Sequence, residues 1–168
     1  MILIADVSYS GGDACVAGVI FESWESEVVV ERLTAKINGL SSYIPGKFYL
    51  RELPCILELL KHVEYPLECI VVDGYVTLGA DERPGLGMRL WQHLDGKVPV
   101  IGVAKTKFLG TPEDAEILRG ESSKPLFVTA VGIDLESAKN NIIKMSGKFR
   151  IPDLIKAADR LSRDTADL

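Results

Sequence analysis

Within its first 33 residues the chain carries three β-type apolar runs separated by short polar stretches, and this arrangement limits the fold more than any other feature. Met1–Val7 and Ala14–Phe21 flank the turn-forming Ser8-Tyr9-Ser10-Gly11-Gly12-Asp13, and a β-branched run, Glu27–Leu33, follows the polar break Ser23–Ser26. Strands joined by turns this short pair antiparallel, so the spacing predicts a meander. The pattern then changes. Leu53–Val63 repeats apolar residues at helical spacing, with Pro54 tolerated in a first turn. Leu67–Val72, Val98–Ala104 and Pro125–Val131 read as buried strands, and Pro84–Leu94, Leu135–Met145 and Pro152–Ser162 as helices. Gly110–Lys124 reads as a polar loop.

Antiparallel strands followed by alternating helices and strands predict an α/β chain: a mixed central sheet, its first three strands antiparallel, flanked by helices. That element order is similar to the ribonuclease-H-like fold. At 168 residues, 47% hydrophobic and 26% charged, the chain is sized for one domain, 1–168, and is too apolar for disorder. No apolar run approaches the ~18 residues of a membrane span, and the N-terminus lacks a basic signal-peptide start. Cys15, Cys55 and Cys69 are odd in number, far apart and without a C-x-x-C, as expected of reduced thiols in a cytoplasmic protein. With only His62 and His93 available, a zinc site or a histidine-based triad has almost nothing to draw on.

Charge is unevenly spread. Residues 1–84 hold 6 Lys and Arg against 13 Asp and Glu, and residues 85–168 hold 13 against 11. Ordinary surface charge accounts for this, as does a nuclease with carboxylates at a metal and cations along phosphates. Two aspartates end apolar strands, Asp6 after Ile2-Leu3-Ile4-Ala5 and Asp73 after Ile70-Val71-Val72. A carboxylate in such a place is costly when unpaired, and a bound divalent cation removes the cost. Mg²⁺ takes hard oxygen ligands of this kind. Glu52, opening the first helix, is the third candidate. The plainer readings are turn-capping for the aspartates and a favourable helix N-terminus for the glutamate.

Together the segments resemble the endonuclease V family. Ser42-Tyr43-Ile44-Pro45-Gly46, then four residues, then Arg51-Glu52 looks like that family's wedge segment. Val72-Asp73-Gly74 leading to Gly85-Leu86, Ile101-Gly102-Val103-Ala104-Lys105, and the opening Ala5-Asp6-Val7-Ser8-Tyr9 are similar to its other blocks, in order and spacing. The resemblance runs to about Ala138. It implies a metal-dependent endonuclease, a monomer, cutting DNA or RNA on the 3′ side of a deaminated base, hypoxanthine. By match, Asp6, Glu52 and Asp73 would hold Mg²⁺, with Mn²⁺ as a substitute, and Lys105 would lie near the scissile phosphate. Tyr43, Ile44, Pro45 and Gly46 would pry the strand open, and Gly74 and Tyr75 would help form the base pocket.

The chain departs from the family in two places. Val76 stands where the family carries a second glycine, and the His-Pro pair of that loop is absent. Ile133-Asp134 follow Val131-Gly132 where the family carries His-Arg. Asp134 therefore reads either as a fourth catalytic carboxylate or as the N-cap of the helix at Leu135. The alternatives to an active nuclease are a nucleic-acid-binding relative that no longer cleaves or has changed substrate, and a phosphate-hairpin ATPase or sugar kinase, for which the chain is short.

Overall fold

The computed structural model describes residues 1–40, 42, 44, 45, 47 and 49–166. In chain order the elements are β1 (Ile2–Ser10), β2 (Asp13–Phe21), β3 (Glu31–Ile37), α1 (Tyr49–Leu60), β4 (Cys69–Asp73), β5 (Thr77–Leu78), β6 (Arg83–Pro84), α2 (Leu86–His93), β7 (Val100–Ala104), β8 (Glu116–Ile117), β9 (Leu126–Val131), α3 (Leu135–Ile143) and α4 (Asp153–Ala166). Seven strands form one mixed sheet in the order β3-β2-β1-β4-β7-β9-β8. β1, β4 and β7 are mutually parallel; β2 and β9 pair antiparallel on either side of them.

Side-chain alternation along the parallel strands supplies both faces of the core. Ile2, Ile4, Val71, Ile101 and Val103 point to α3 and α4, where Ala138, Ile142, Leu154, Ile155 and Ala158 cover them. Leu3, Ala5, Ile70, Val72 and Val100 point the other way, onto Leu53, Ile56 and Leu59 of α1 and Leu86 and Leu90 of α2. Buried on both faces, these strands read as continuous apolar runs, which is why they stand out in the sequence. Among the described residues no helix is long and apolar enough to cross a membrane.

Three boundaries differ from the sequence reading, each for a physical reason. β3 lies four residues later than the β-branched run: Val28 and Val30 are exposed, at 74% and 42%, whereas Arg32-Leu33-Thr34-Ala35-Lys36-Ile37 alternates polar and apolar as a half-buried edge strand should. α1 begins a turn early, so Pro54 sits inside the helix, on its exposed side. The Leu50 carbonyl that Pro54 cannot bond belongs to a residue 43% exposed, within reach of water. The 110–124 loop contains a short 3-10 turn and β8, whose two residues complete the sheet edge against Leu126 and Phe127.

Candidate active site

In the parallel pair β1–β4, Ala5 lies beside Val72. One step further along each strand are Asp6 and Asp73, on the face shared by Ile4 and Val71. β1 continues to Ser10 against β2, but β4 stops at Asp73. A crevice opens above that stop, as at other carboxyl ends of parallel strands. Asp6, Asp73, Lys105 and Asp159 of α4 line it. Lys105, the residue after β7, brings its Nζ to 3.6 Å from Asp73 Oδ2. Glu52 reaches the same edge from the opposite layer, carried in the first turn of α1 and 5% exposed.

Asp6 is 7% exposed, and the fully buried Ser162 donates its hydroxyl proton to Asp6 Oδ2 at 2.6 Å. Burial pushes the Asp6 carboxyl up to about 6; the Ser162 hydroxyl pulls it down, Asp73 and Asp159 push it up, and Lys105 pulls it down. Burial also lifts Glu52 well above the usual carboxylate range, and the negative charges of Asp73 and Asp6 add to that lift. Tyr9, beside Glu52, is raised as well, chiefly by burial and then by the glutamate's charge. Two poorly solvated carboxylates, of β1 and α1, thus lie within electrostatic reach of each other and of the half-exposed Asp73 of β4. Each would be relieved by a cation.

The donors fit a hard divalent ion: they are carboxylate oxygens only, partly buried, with no histidine or cysteine among the groups lining the crevice. As they stand, no three acidic, histidine or cysteine side chains among the described residues are drawn close enough to hold a metal ion. The acids face a common space without yet being gathered around a point.

Other sequence candidates fall elsewhere. Asp134 is exposed and caps α3, its Oδ1 accepting from the Ser137 N–H at 2.9 Å, which lowers its pKa. β9 runs antiparallel to β7, with Val131 beside Val100, so Asp134 lies beyond the end of the sheet opposite Asp73, at least roughly 10 Å along the strands. The fourth carboxylate at the crevice is Asp159 instead. Sequence reasoning missed it and Ser162; the signal was two polar residues at i, i+3 on the helix face that also carries Ile155 and Ala158.

Tyr75 is also placed differently from the pocket role read in the sequence. It is 9% exposed, its ring meets Phe108 edge-on at 6.2 Å, and its hydroxyl donates to the Thr106 carbonyl at 2.8 Å while accepting from the Phe108 N–H at 3.0 Å. So little of the residue is exposed that the ring is packed inward rather than offered to a base. Gly74 does sit at the crevice's rim, at φ +135°, its N–H donating to the Val103 carbonyl. Val76 does not project outward; it is fully buried over α2, and a Cβ on Gly87 would come within 2.6 Å of its Cγ2. Ile44 and Pro45 are exposed in a turn that Lys47 closes by donating to the Ile44 carbonyl at 3.0 Å, just ahead of α1. Tyr43 and Gly46 lie outside the described residues. A separate cavity of about 170 Å³ between the β5–β6 hairpin and β9, lined in part by Thr77, Thr111 and Thr129, shares no residue with the crevice.

Comparison with known proteins agrees with this layout. The sequence model of the endonuclease V family matches residues 1–124. An endonuclease V of Streptomyces avermitilis is 32% identical over 180 residues, spanning 94% of this chain and 77% of its own. The crystal structure of an endonuclease V from Streptomyces avermitilis superposes with a TM-score of 0.77 at 29% identity, over 99% of this chain and 81% of that one. The endonuclease V of Ciona intestinalis, crystallised with a 24mer DNA containing an inosine followed by a ribo-adenosine, gives 0.76 at 25% identity, over 99% and 85%. With its ribonuclease-H-like sheet and the family's sequence pattern over most of its length, this chain belongs to the endonuclease V family.

Proposed function

We propose that the chain is a divalent-metal-dependent endonuclease that hydrolyses the phosphodiester bond on the 3′ side of a deaminated base, hypoxanthine, in a nucleic-acid strand. The observation that carries the reading is the burial of Asp6, and of Glu52 within electrostatic reach of it and of Asp73, at the carboxyl end of β4, with Asp159 lining the same crevice as the two aspartates. Family membership supports phosphodiester cleavage, and the inosine-containing DNA held by the Ciona relative supports the lesion. Asp6, Glu52, Asp73 and Asp159 are the residues that would hold Mg²⁺ or Mn²⁺. A cation bound there polarises the phosphate and lowers the pKa of water.

The chain's own groups then have definite work. Ser162 fixes one Asp6 oxygen and leaves the other free. Lys105, at present 3.6 Å from Asp73, is the positive charge at the mouth of the crevice, suited to neutralise the incoming phosphate. Ile44 and Pro45, exposed just ahead of α1, fit a role in separating the strand beside the lesion, as part of the 43–46 segment. Extrusion costs less at a mispaired base, which favours deaminated sites.

The test is incubation with inosine-containing single-stranded and duplex DNA and RNA in Mg²⁺ or Mn²⁺. The expected products carry a 3′-hydroxyl and a 5′-phosphate, and Asp73→Ala abolishes them. A purified protein that binds these strands yet nicks none with either metal would be a strand-binding relative, and the nuclease reading would fall.

A further inference from the structure

Between α3 and α4 the chain presents Phe149 to solvent at 58% exposure, on a backbone held from beneath. Arg119, 5% exposed, donates to the carbonyls of Met145 at 2.6 Å, Phe149 at 2.7 Å and Gly147 at 3.1 Å. Arg150 donates to the Pro125 carbonyl at 2.8 Å and to that of Lys105 at 2.5 Å. A Cβ on Gly120 would collide with the Lys148 carbonyl, so the loop is also close-packed against the 119–120 segment. Two arginines spent on main-chain carbonyls fix a loop whose most conspicuous product is an exposed aromatic ring.

Two ammonium groups lie over that ring. Lys148 Nζ lies 5.4 Å and Lys156 Nζ 4.7 Å from its centroid. Residues 144–163 contain six Lys and Arg against two Asp, in a chain of net charge −5. Lys148, Phe149 and Arg150 line an open groove of about 620 Å³, with Glu121 and Ser122 on its other wall. The groove and the crevice share no lining residue, but two links run between them: Arg150, on the groove, donates to the main-chain carbonyl of Lys105, which faces Asp73, and Lys156, over the ring, follows Ile155, which lines the crevice with Asp159.

An exposed ring with two ammonium groups resting over it suits a single nucleic-acid strand: a base that stacks on the ring displaces both groups, which then meet the phosphates on either side of that base. We propose that this face is a platform for the single strand leaving the cleavage crevice, a base stacking on Phe149 while Lys148 and Lys156 hold the adjacent phosphates. The proposal rests on the nuclease reading for its ligand. It adds a binding surface outside the carboxylate crevice, read without regard to sequence.

The test is fluorescence anisotropy of labelled single-stranded oligonucleotides, with and without inosine, across a salt series, for the wild type, F149A, F149W and the double variant K148A/K156A. F149A is expected to weaken binding roughly tenfold and F149W to retain it, since stacking tolerates any aromatic face. The lysine pair is expected to flatten the slope of log K against log salt by about 1.4, roughly 0.7 for each lost phosphate contact. The lysine variant gives an independent reading should F149A fold poorly. Wild-type affinity and salt slope in all variants, while the wild type still nicks inosine strands, overturns the platform and leaves the nuclease reading standing. A wild type that binds no strand overturns both. Dissociation of a dimer by F149A with unchanged strand affinity would assign the face to a second copy of the chain and also overturn the proposal.

Discussion

Asp6 sits on a central strand at 7% exposure, and an ionised carboxylate there lowers stability until something compensates it. Its carboxyl is raised to about 6 from an ordinary 3.8, so the folded state binds a proton more tightly than the unfolded chain. Above about 6 both states are ionised and the full penalty is present, on the order of a few kcal/mol. As pH falls from about 6 toward about 4 the penalty is relieved, and Glu52, raised for the same reasons, acts in the same direction. In EDTA, the melting temperature should therefore fall between pH 5 and pH 7 (about those values). Asp6→Asn should reduce that fall, and Mg²⁺ at the upper pH should recover part of it in the wild type alone. A melting temperature that climbs through this range equally in both proteins would contradict the account. Asp6 and Asp73 were legible in the sequence because a charge closing an apolar strand is conspicuous. Asp159 was not, since a polar residue on an amphipathic helix reads as solvated until the helix is seen to lie over β1. Tyr75 misled in the opposite sense: the resemblance put it in a base pocket, and contacts to Phe108 and Thr106, more than thirty residues away, turn it inward.

At the scale of elements, α2 and the loop after Asp73 form one packed unit. Gly85 donates to the Val76 carbonyl at 2.8 Å and Gly87 to that of Tyr75 at 3.1 Å, and Val76 fills the space above Gly87. Alanine at 87 gains about 1 kcal/mol in helix propensity, but its methyl would lie 2.6 Å from Val76 Cγ2. Overpacking of this kind costs about 1–3 kcal/mol, so Gly87→Ala should lower stability on balance. The loss should shrink in a Val76→Ala background, a coupling readable from urea melts of the double-mutant cycle. If Gly87→Ala stabilised the protein, the packing described for this loop would be wrong. The strands β1, β2, β4 and β7 were legible because burial on both faces leaves unbroken apolar runs. β3 was misplaced because β-branched residues were given more weight than alternation, and the alternating, charged segment is the one that pairs with β2. α1 began early because the turn from Ile44 to Lys47 feeds directly into it, a contact that helical spacing alone does not reveal.

The whole molecule divides its charge as its fold divides its labour. Acids of β1, α1, β4 and α4 face one edge of the sheet with Lys105 beside them, while Lys148 and Lys156 of the basic second half lie outside the crevice lining. Low-salt conditions should accordingly strengthen strand binding steeply despite the net charge of −5, because the strand meets the basic 144–163 stretch, six Lys and Arg against two Asp, rather than the chain's average charge. Binding measured from about 50 to 200 mM salt checks this, and an affinity independent of salt would contradict it. Topology was readable from element order, since a meander followed by alternating helices and strands leaves few arrangements. That the acids face a common space was not, because it depends on β1 and β4 being neighbours in register.

The central claim is that Asp6, Glu52, Asp73 and Asp159 serve one divalent ion. A crystal soaked in Mn²⁺ tests it most directly, by anomalous scattering. The account predicts a peak in the crevice with oxygens of Asp6 and Asp73 at about 2.1 Å, lost in Asp73→Ala crystals. A protein that nicks inosine strands while its crystals show no peak there, or one only at a distant site, would contradict it.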